Sequence, residues 1–256
     1  PEHHPRSIFP ETRSVVVIGK RIARGCLRGT EEGTQMTLYQ QYAVNWVPDR
    51  FLALTTVSTA TFLEDHRWEA VPLPNLPVQA PAMGVAVRDD APAPNVMIDF
   101  NEAAVRAGLG IIGYNGELMT PQFGPRQRIQ IILTDAELAA DPLCDEKVCD
   151  YCKRCVAACP LHAIDAGQET ELEICGLRMP VAAIDYGRCA SCRNGASGNP
   201  FHPSGRPDRL AAACTRACVH HLEEEELVSN RFRTPFRRRP AWQIDGQGAT
   251  SLVEEA

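Results

Sequence analysis

Long apolar runs are missing from this chain. No stretch approaches the roughly 20 consecutive apolar residues of a membrane-spanning helix, so an integral helical membrane protein is not expected. The run Ser14-Val-Val-Val-Ile-Gly19 is too short for the apolar region of a secretory signal and reads as a strand. The chain starts at Pro1 rather than Met, which leaves room for a removed leader. Aromatic residues are sparse, at 6%. Lysine is scarce and arginine supplies nearly all the basic charge, which reads as a coding bias. An excess of positive charge is also lacking. The net charge of −6 argues against a nucleic-acid partner, because such binders present a basic face. Repeats at solenoid periods are absent.

Cysteine is the residue in excess. There are 11, an odd number, and most crowd between Cys144 and Cys218. At 256 residues the chain is large for a disulfide scaffold. Short, uneven spacings argue instead for metal ligation in a reducing compartment, and the expected location is cytoplasmic.

Periodicity divides the chain into an α/β portion followed by a cysteine-rich one. Val15 to Ile18 predicts a buried strand. Thr37 to His66 predicts helix, with Leu38, Tyr42, Trp46, Phe51, Leu54 and Val57 as its apolar positions and a break into two helices at Pro48. Trp68 to Val71 suggests a short strand. Residues 72–94 are Pro-rich, with a small alternating segment at Met83 to Val87. Asn101 is a suitable N-cap for a helix over Glu102 to Ala107, which Gly108 would end. Arg128 to Leu133 reads as a strand. Further helices are expected after Cys152 and from Pro207 to Leu227. The expected organisation is residues 1–138 as an α/β core, 139–228 as the cysteine-rich domain, and 229–256 as a tail that wraps the surface or moves freely.

The segment Cys149-Asp-Tyr-Cys152-Lys-Arg-Cys155-Val-Ala-Ala-Cys159-Pro160 has the spacing C-x2-C-x2-C-x3-C-P of bacterial ferredoxins. Three thiolates two residues apart can grip three corners of an iron–sulfur cube. The fourth points away to a second cube. Two clusters then need four more cysteines, and Cys189, Cys192, Cys214 and Cys218 supply them. The assignment is Cys149, Cys152, Cys155 and Cys218 on one [4Fe–4S] cluster, with Cys159, Cys189, Cys192 and Cys214 on the other. A structural zinc site is the competing reading of such pairs. Cys26, Cys144 and Cys175 are left over and read as small buried hydrophobes. His162 is expected to cover or tune a cluster. His220 and His221 are expected at the surface, and Glu223 to Glu226 on a solvated helix face.

Gly108-Leu-Gly110-Ile-Ile-Gly113 fits the dinucleotide-binding pattern in letters only. It neither follows a strand nor opens a helix. The glycines let backbone approach a planar ligand or make turns. The wider run Ala107-Gly-Leu-Gly-Ile-Ile-Gly-Tyr-Asn-Gly-Glu-Leu-Met-Thr-Pro-Gln-Phe-Gly-Pro-Arg-Gln-Arg128, with Leu133-Thr-Asp135 and the ferredoxin run, resembles the reductive dehalogenase and epoxyqueuosine reductase superfamily. The likeness is strongest from Asn101 to Ile164. It extends to Phe9-Pro-Glu-Thr-Arg-Ser-Val-Val-Val17 and to Ile184-Asp-Tyr-Gly-Arg-Cys189.

The resemblance implies an α+β fold: a nitroreductase-like core with a C-terminal bacterial-ferredoxin-like two-cluster domain. It implies cobalamin as the favoured cofactor, with flavin the lesser choice. Gly108, Gly110, Gly113, Asn115, Thr120 and Arg126 are the candidate cofactor contacts. Tyr114 and Asp99 are candidate proton donors. Each has a plainer reading. Tyr114 would pack, Asp99 would cap a helix, Asn115 would make a left-handed turn, and Arg126 and Arg128 would be solvated. The chain departs from the family in being short for a cobalamin enzyme and in having Tyr114 where a basic residue is usual.

Two functions follow from different classes. One is a reductase whose clusters relay electrons to a core cofactor, acting on a small molecule and fed by a donor such as ferredoxin or flavodoxin. The other is an electron-carrier subunit without an active-site cofactor that serves a partner enzyme. The basic run Arg231 to Arg239 could dock an acidic donor. A zinc-stabilised interaction protein is the third.

Overall fold

The computed structural model describes residues 4–74, 98–199 and 205–253. Most of the expected Pro-rich stretch, including Met83 to Val87, lies outside the described residues.

Strand β5 (Gln127–Thr134) is the central strand of the first half. Strand β1 (Ser14–Arg21) pairs antiparallel along its whole length, with Ser14 opposite Thr134 and Arg21 opposite Gln127. Strand β2 (Ala70–Leu73) pairs with the other edge of β5. Side chains alternate across a strand. Ile129, Ile131 and Leu133 therefore enter one core with Phe100, Ala104 and Val105, while Ile132 enters another with Ala60, Leu63 and Ala70. Covering both faces buries β5 almost entirely. Val15 to Ile18, on an edge strand, are only half-buried rather than fully buried as expected.

The helical region corrects two expectations. Helix α1 (Arg24–Glu31) is followed by a π-helix over Tyr39–Leu52 that runs straight into α2 (Ala53–Asp65). Pro48 lies inside the π-helix and does not break it. In this winding an N–H bonds the carbonyl five residues back. Pro48 has no N–H to offer Ala43, and Arg128 Nε donates to the Ala43 carbonyl instead, at 3.0 Å. Gln130 Nε2 donates to the Pro48 carbonyl at 3.3 Å. The polar residues of β5 thus complete the backbone of the helix above them. The winding also turns the helix. Leu38, Tyr42, Phe51, Leu54 and Val57 are exposed, while Tyr39, Ala43, Val47, Leu52 and Ala60 are buried.

Helix α3 (Phe100–Arg106) starts earlier than expected, because Asp99 rather than Asn101 is its cap: Asp99 Oδ1 accepts from Glu102 N at 3.0 Å. Gly108, at φ +73°, ends it as expected. The Gly-rich loop is a small hairpin, β3 (Ile111–Ile112) against β4 (Leu118–Met119). Beyond β5 come α4 (Arg154–Ala157) and a long hairpin, β6 (Ile164–Ile174) and β7 (Leu177–Ile184). Then follow α5 (Tyr186–Ala190), α6 (Ala213–Glu224) and the hairpin β8 (Ala241–Ile244) and β9 (Thr250–Val253). The helix expected from Pro207 begins only at Ala213. The core containing Ile129, Ile131 and Leu133 also holds Cys144, Val148, Ile174, Met179, Leu222 and Val228, so it is shared across position 138.

The tail is anchored. Phe236 is buried among Ile22, Leu27 and Tyr39. Arg237 Nε and Arg216 Nη1 both reach the Glu31 carboxylate at 2.6 Å, joining the tail, α6 and α1. Arg231 and Arg239 pair with Glu226 and Glu32. Much of the basic run expected to await a partner is therefore engaged within the chain.

Burial alone would raise the Glu31 carboxyl, but Arg216 and Arg237 overcome this and hold it below its usual value. A depressed carboxyl contributes stability above its unfolded pKa of about 4.3, and that contribution is lost as pH falls through the folded value. Glu31→Gln is expected to cost about 3 kcal/mol at neutral pH, since it leaves two arginines unpaired. It should also flatten the acid limb of stability below about pH 4. Urea unfolding from pH 3 to 7 checks both, and an unchanged acid limb would refute the assignment.

Candidate metal centre

Cys149 and Cys152 of the first run sit on a loop shaped by its own backbone. Tyr151 and Lys153, on either side of Cys152, are left-handed at φ +59° and +60°. Such single left-handed residues turn the chain sharply. Helix α4 then begins, carrying Cys155, and Cys159 follows its end.

Two cavities are lined by cysteine. Cys149, Cys152, Cys155 and Cys218 line the first, with Tyr114, Asn115, Lys153 and His221. Cys159, Cys189, Cys192 and Cys214 line the second, with Ile164, Ala196 and Arg209. The chain thus gathers these eight cysteines into two groups of four, each drawn from separate stretches of sequence. All eleven cysteines are free of disulfides. Of the other three, Cys144 is buried as expected, Cys26 is half-buried, and Cys175 is exposed at the tip of the β6–β7 hairpin.

Burial pushes the Cys155 thiol up to about 12, and neighbouring cysteines, Cys214 first among them, push the same way. Burial likewise pushes Cys189 and Cys214 to about 11, with the Arg209 guanidinium opposing it. Thiolates crowded this way repel one another unless a cationic core lies between them, and the ordinary borderline-soft or iron-containing partners of such sulfur sets supply that core. The donor set fits iron–sulfur clusters. Several N–H groups already point at sulfur: Tyr114 N to Cys149 at 3.5 Å, Ala163 N to Cys159 at 3.2 Å, and Asn194 Nδ2 to Cys192 at 3.7 Å.

Three neighbours of the cysteines escaped the sequence reading. His221 is buried, not at the surface, and its Nε2 lies 2.7 Å from Asp150 Oδ2, which ties α6 to the Cys149–Cys155 loop. Arg209 is buried beside the second cavity, held by Glu117 at 2.8 Å and the Asn115 carbonyl at 2.9 Å. Asn194 is fully buried next to Cys192. None belongs to a short motif. Each is defined only once the chain has closed around the cysteines.

The candidate cofactor contacts have protein neighbours instead of a shared opening. Gly108 is needed because a Cβ there would lie 2.0 Å from the Pro142 carbonyl oxygen, and one on Gly110 would meet Met119 O at the same distance. At Gly113 a Cβ would press on the Met119 side chain. Thr120 Oγ1 bonds Gln127 Oε1 at 3.0 Å. Arg126 is buried, not solvated. It donates to the Ile22 carbonyl and to Asn230 Oδ1. None of these five lines either cysteine cavity. Asn115 does line the first, its Nδ2 without a hydrogen-bond partner among the described residues, and the left-handed residue of the turn is Gly116, at φ +74°. Tyr114 is buried with its ring under Lys153 Nζ at 5.0 Å; burial first, and the Glu169 carboxylate near its hydroxyl second, raise its pKa, with Lys153 opposing them. Asp99 caps α3 at the edge of a separate groove floored by Leu172, Val181 and Ile184. These residues do not converge on a seat for a corrin ring.

No family model matches the chain. It is 50% identical over 64 residues to a tetrachloroethene reductive dehalogenase of Desulfitobacterium hafniense, covering 24% of this chain and 12% of that protein. It is 44% identical over 61 residues to an epoxyqueuosine reductase of Synechococcus sp. (strain RCC307), covering 24% of this chain and 19% of that one. The chain therefore spans less than a fifth of these relatives' lengths. A solved reductive dehalogenase, described as a B12-dependent enzyme, is similar at 16% identity and a TM-score of 0.46, over 93% of this chain and 33% of that one. A solved epoxyqueuosine reductase with a tRNA-Tyr stem loop is similar at 15% identity and a TM-score of 0.41, over 62% and 38%. That protein holds RNA, where composition predicts no nucleic-acid partner for this chain. No helix among the described residues is long and apolar enough to cross a membrane.

The close approach at Gly110 gives a direct test of the loop. Gly110→Ala is expected to cost about 1–3 kcal/mol, because carbonyl and methyl must part. Thermal unfolding measures it, and a melting temperature equal to wild type would show that β3 and β4 separate freely.

Proposed function

This chain is a sequence relative of the reductive dehalogenases and the epoxyqueuosine reductases, and from that kinship we propose that it is an iron–sulfur redox protein that carries single electrons through two [4Fe–4S] clusters for reductive chemistry. The observation that supports this most directly is the sorting of eight cysteines into two four-cysteine cavities. Cys149, Cys152, Cys155 and Cys218 would hold one cluster, and Cys159, Cys189, Cys192 and Cys214 the other. Bound clusters supply one-electron chemistry whose potential follows net charge, hydrogen bonds to sulfur and exposure. The chain's own residues act on each of these. Arg209 places a buried positive charge beside the second site. Tyr114 N, Ala163 N and Asn194 Nδ2 aim at sulfur. Tyr114, Lys153 and Leu222 line the first site. The two sites adjoin, since Cys155 and Cys214 act electrostatically on each other. An external donor such as a ferredoxin or flavodoxin fits this role.

Where the electrons go separates two versions. A reductase of the family kind would pass them to a cofactor, with cobalamin first and flavin second, and reduce a small molecule there. A carrier would pass them to a partner enzyme. Gly108, Gly110 and Gly113 pack against protein, Thr120 and Arg126 are hydrogen-bonded within the chain, Tyr114 is buried under Lys153, and Asp99 caps α3 at the edge of an open groove. Cofactor analysis separates the two versions.

Anaerobically prepared protein is expected to hold about eight iron atoms per chain. Cys218→Ala and Cys214→Ala should each leave about four, because each removes a ligand from a different cluster. Metal and sulfide analysis reads the result, and stoichiometric zinc in place of iron would refute the proposal. Solvent extraction of the same samples decides between the versions: corrin or flavin selects the reductase, and neither, after reconstitution with both, selects the carrier.

A further inference from the structure

The C-terminal hairpin makes contacts that neither ligand spacing nor family resemblance requires. Asn194 is 0% exposed and bonds both backbone groups of one residue in the tail: its Oδ1 accepts from Ile244 N at 2.6 Å and its Nδ2 donates to Ile244 O at 2.8 Å. These two partners fix which amide atom is oxygen, so Nδ2 is also the atom that lies 3.7 Å from Cys192 Sγ. A single buried amide therefore joins strand β8 to a cysteine of the second cavity.

The rest of the tail is arranged to deliver β8 to that place. Phe236 is sunk in the core beneath α1. Arg237 reaches Glu31, Trp242 Nε1 donates to the Thr30 carbonyl at 2.8 Å, and the Arg216 guanidinium lies over the Trp242 ring at 5.0 Å. Arg216 Nη2 closes the circuit on the Asn194 carbonyl at 3.2 Å. The turn between β8 and β9 comes near the rim of the second site: a Cβ on Gly246 would meet Leu161, which lines that cavity, at 4.0 Å, and one on Gly248 would meet Arg193, next to Cys192, at 3.7 Å. At the first cavity Cys152 is exposed.

We propose that residues 236–253 form a strap over the Cys159, Cys189, Cys192 and Cys214 site, and that Asn194 is the positioning residue that latches the strap and orients an N–H toward Cys192. The strap shields this site from water and from attack on its sulfur, while the other site stays open to a partner. This inference rests on the two-cluster reading, and the test separates the two.

Iron-loaded full-length protein is challenged anaerobically with a ferrous chelator. Asn194→Ala removes both latch bonds, each worth about a tenfold factor at most in the closed-to-open ratio. Half of the iron is expected to leave about tenfold faster or more than in wild type, while the other half keeps its wild-type rate. Equal acceleration of both halves, or none, overturns the strap. Should Asn194→Ala fail to accumulate, Ile244→Pro removes the strap's N–H donor, keeps the amide, and is read the same way. Wild-type protein that takes up no iron speaks against the clusters instead. The strap is then judged in the iron-free full-length chain by iodoacetamide labelling and mass spectrometry. Faster alkylation of Cys192 in Asn194→Ala, with Cys152 unchanged, supports it, and equal rates at Cys192 overturn it.

Discussion

On the proposed function, eight sulfur atoms from separate stretches of chain are held in two adjoining places, and that requirement shapes the second half of the molecule. A thiolate in an apolar cavity is unfavourable by itself. Four of them are tolerable only around a positive core and with N–H dipoles pointing inward. The chain meets the demand with short, irregular pieces. Left-handed residues at Tyr151 and Lys153 curl the first loop, and α5 and α6 bring Cys189, Cys214 and Cys218 back to it. The β6–β7 hairpin supplies wall, with Ile164 and Ala182 packed among the cysteines. Charged residues are drawn into the same interior because they hold these pieces in place. Arg209 bridges Glu117 and the Asn115 carbonyl, and the His221–Asp150 pair fixes α6 against the loop.

On the proposed function, the cysteine groups are legible in the sequence because ligand spacing is a local property. A C-x2-C-x2-C-x3-C run states which thiols share a loop, and counting what remains states which must return to it. β5 was legible for a similar reason, since Ile129, Ile131, Ile132 and Leu133 need cover on both faces. The β6–β7 hairpin was overlooked, though Leu172, Ile174, Leu177, Met179 and Val181 are spaced for it. Its turn is Cys175-Gly176, both at positive φ, where Asn-Gly would have been the recognisable signal. The helical face was misread because a π-winding does not follow a 3.6-residue period. Nothing local announces that winding, and the side chains that meet it, Arg128 on the Ala43 carbonyl and Gln130 on the Pro48 carbonyl, are distant in sequence.

Glycine teaches a separate lesson. A Gly-rich loop carries the same letters whether the backbone must approach a ligand or another strand. Here Pro142 O and Met119 O occupy the space that a side chain at Gly108 or Gly110 would need. The loop's work is to bring β3 and β4 together and so present Tyr114 and Asn115 to the first cysteine cavity. Family likeness in that stretch therefore fits a shared scaffold for holding clusters as well as it fits a shared cofactor. The same holds for Arg126, whose guanidinium is consumed by Ile22 O and Asn230.

The two cysteine sites are unequal in a way that bears on direction. At the first, Cys152 is exposed and Lys153 and Arg154 stand beside it. At the second, Arg209 is buried beside the sulfurs and Asn194, bonded to Ile244 of β8, lies next to Cys192. Exposure and nearby charge are two of the quantities that set a cluster's potential. Two chemically identical sets of four thiolates can thus be given different potentials by their surroundings alone. On the proposed function, the exposed site is where a donor comes within reach, and the covered site is the one whose potential the chain controls most closely. The contrast is built from residues outside both ligand sets, so it was not written in the cysteine spacing.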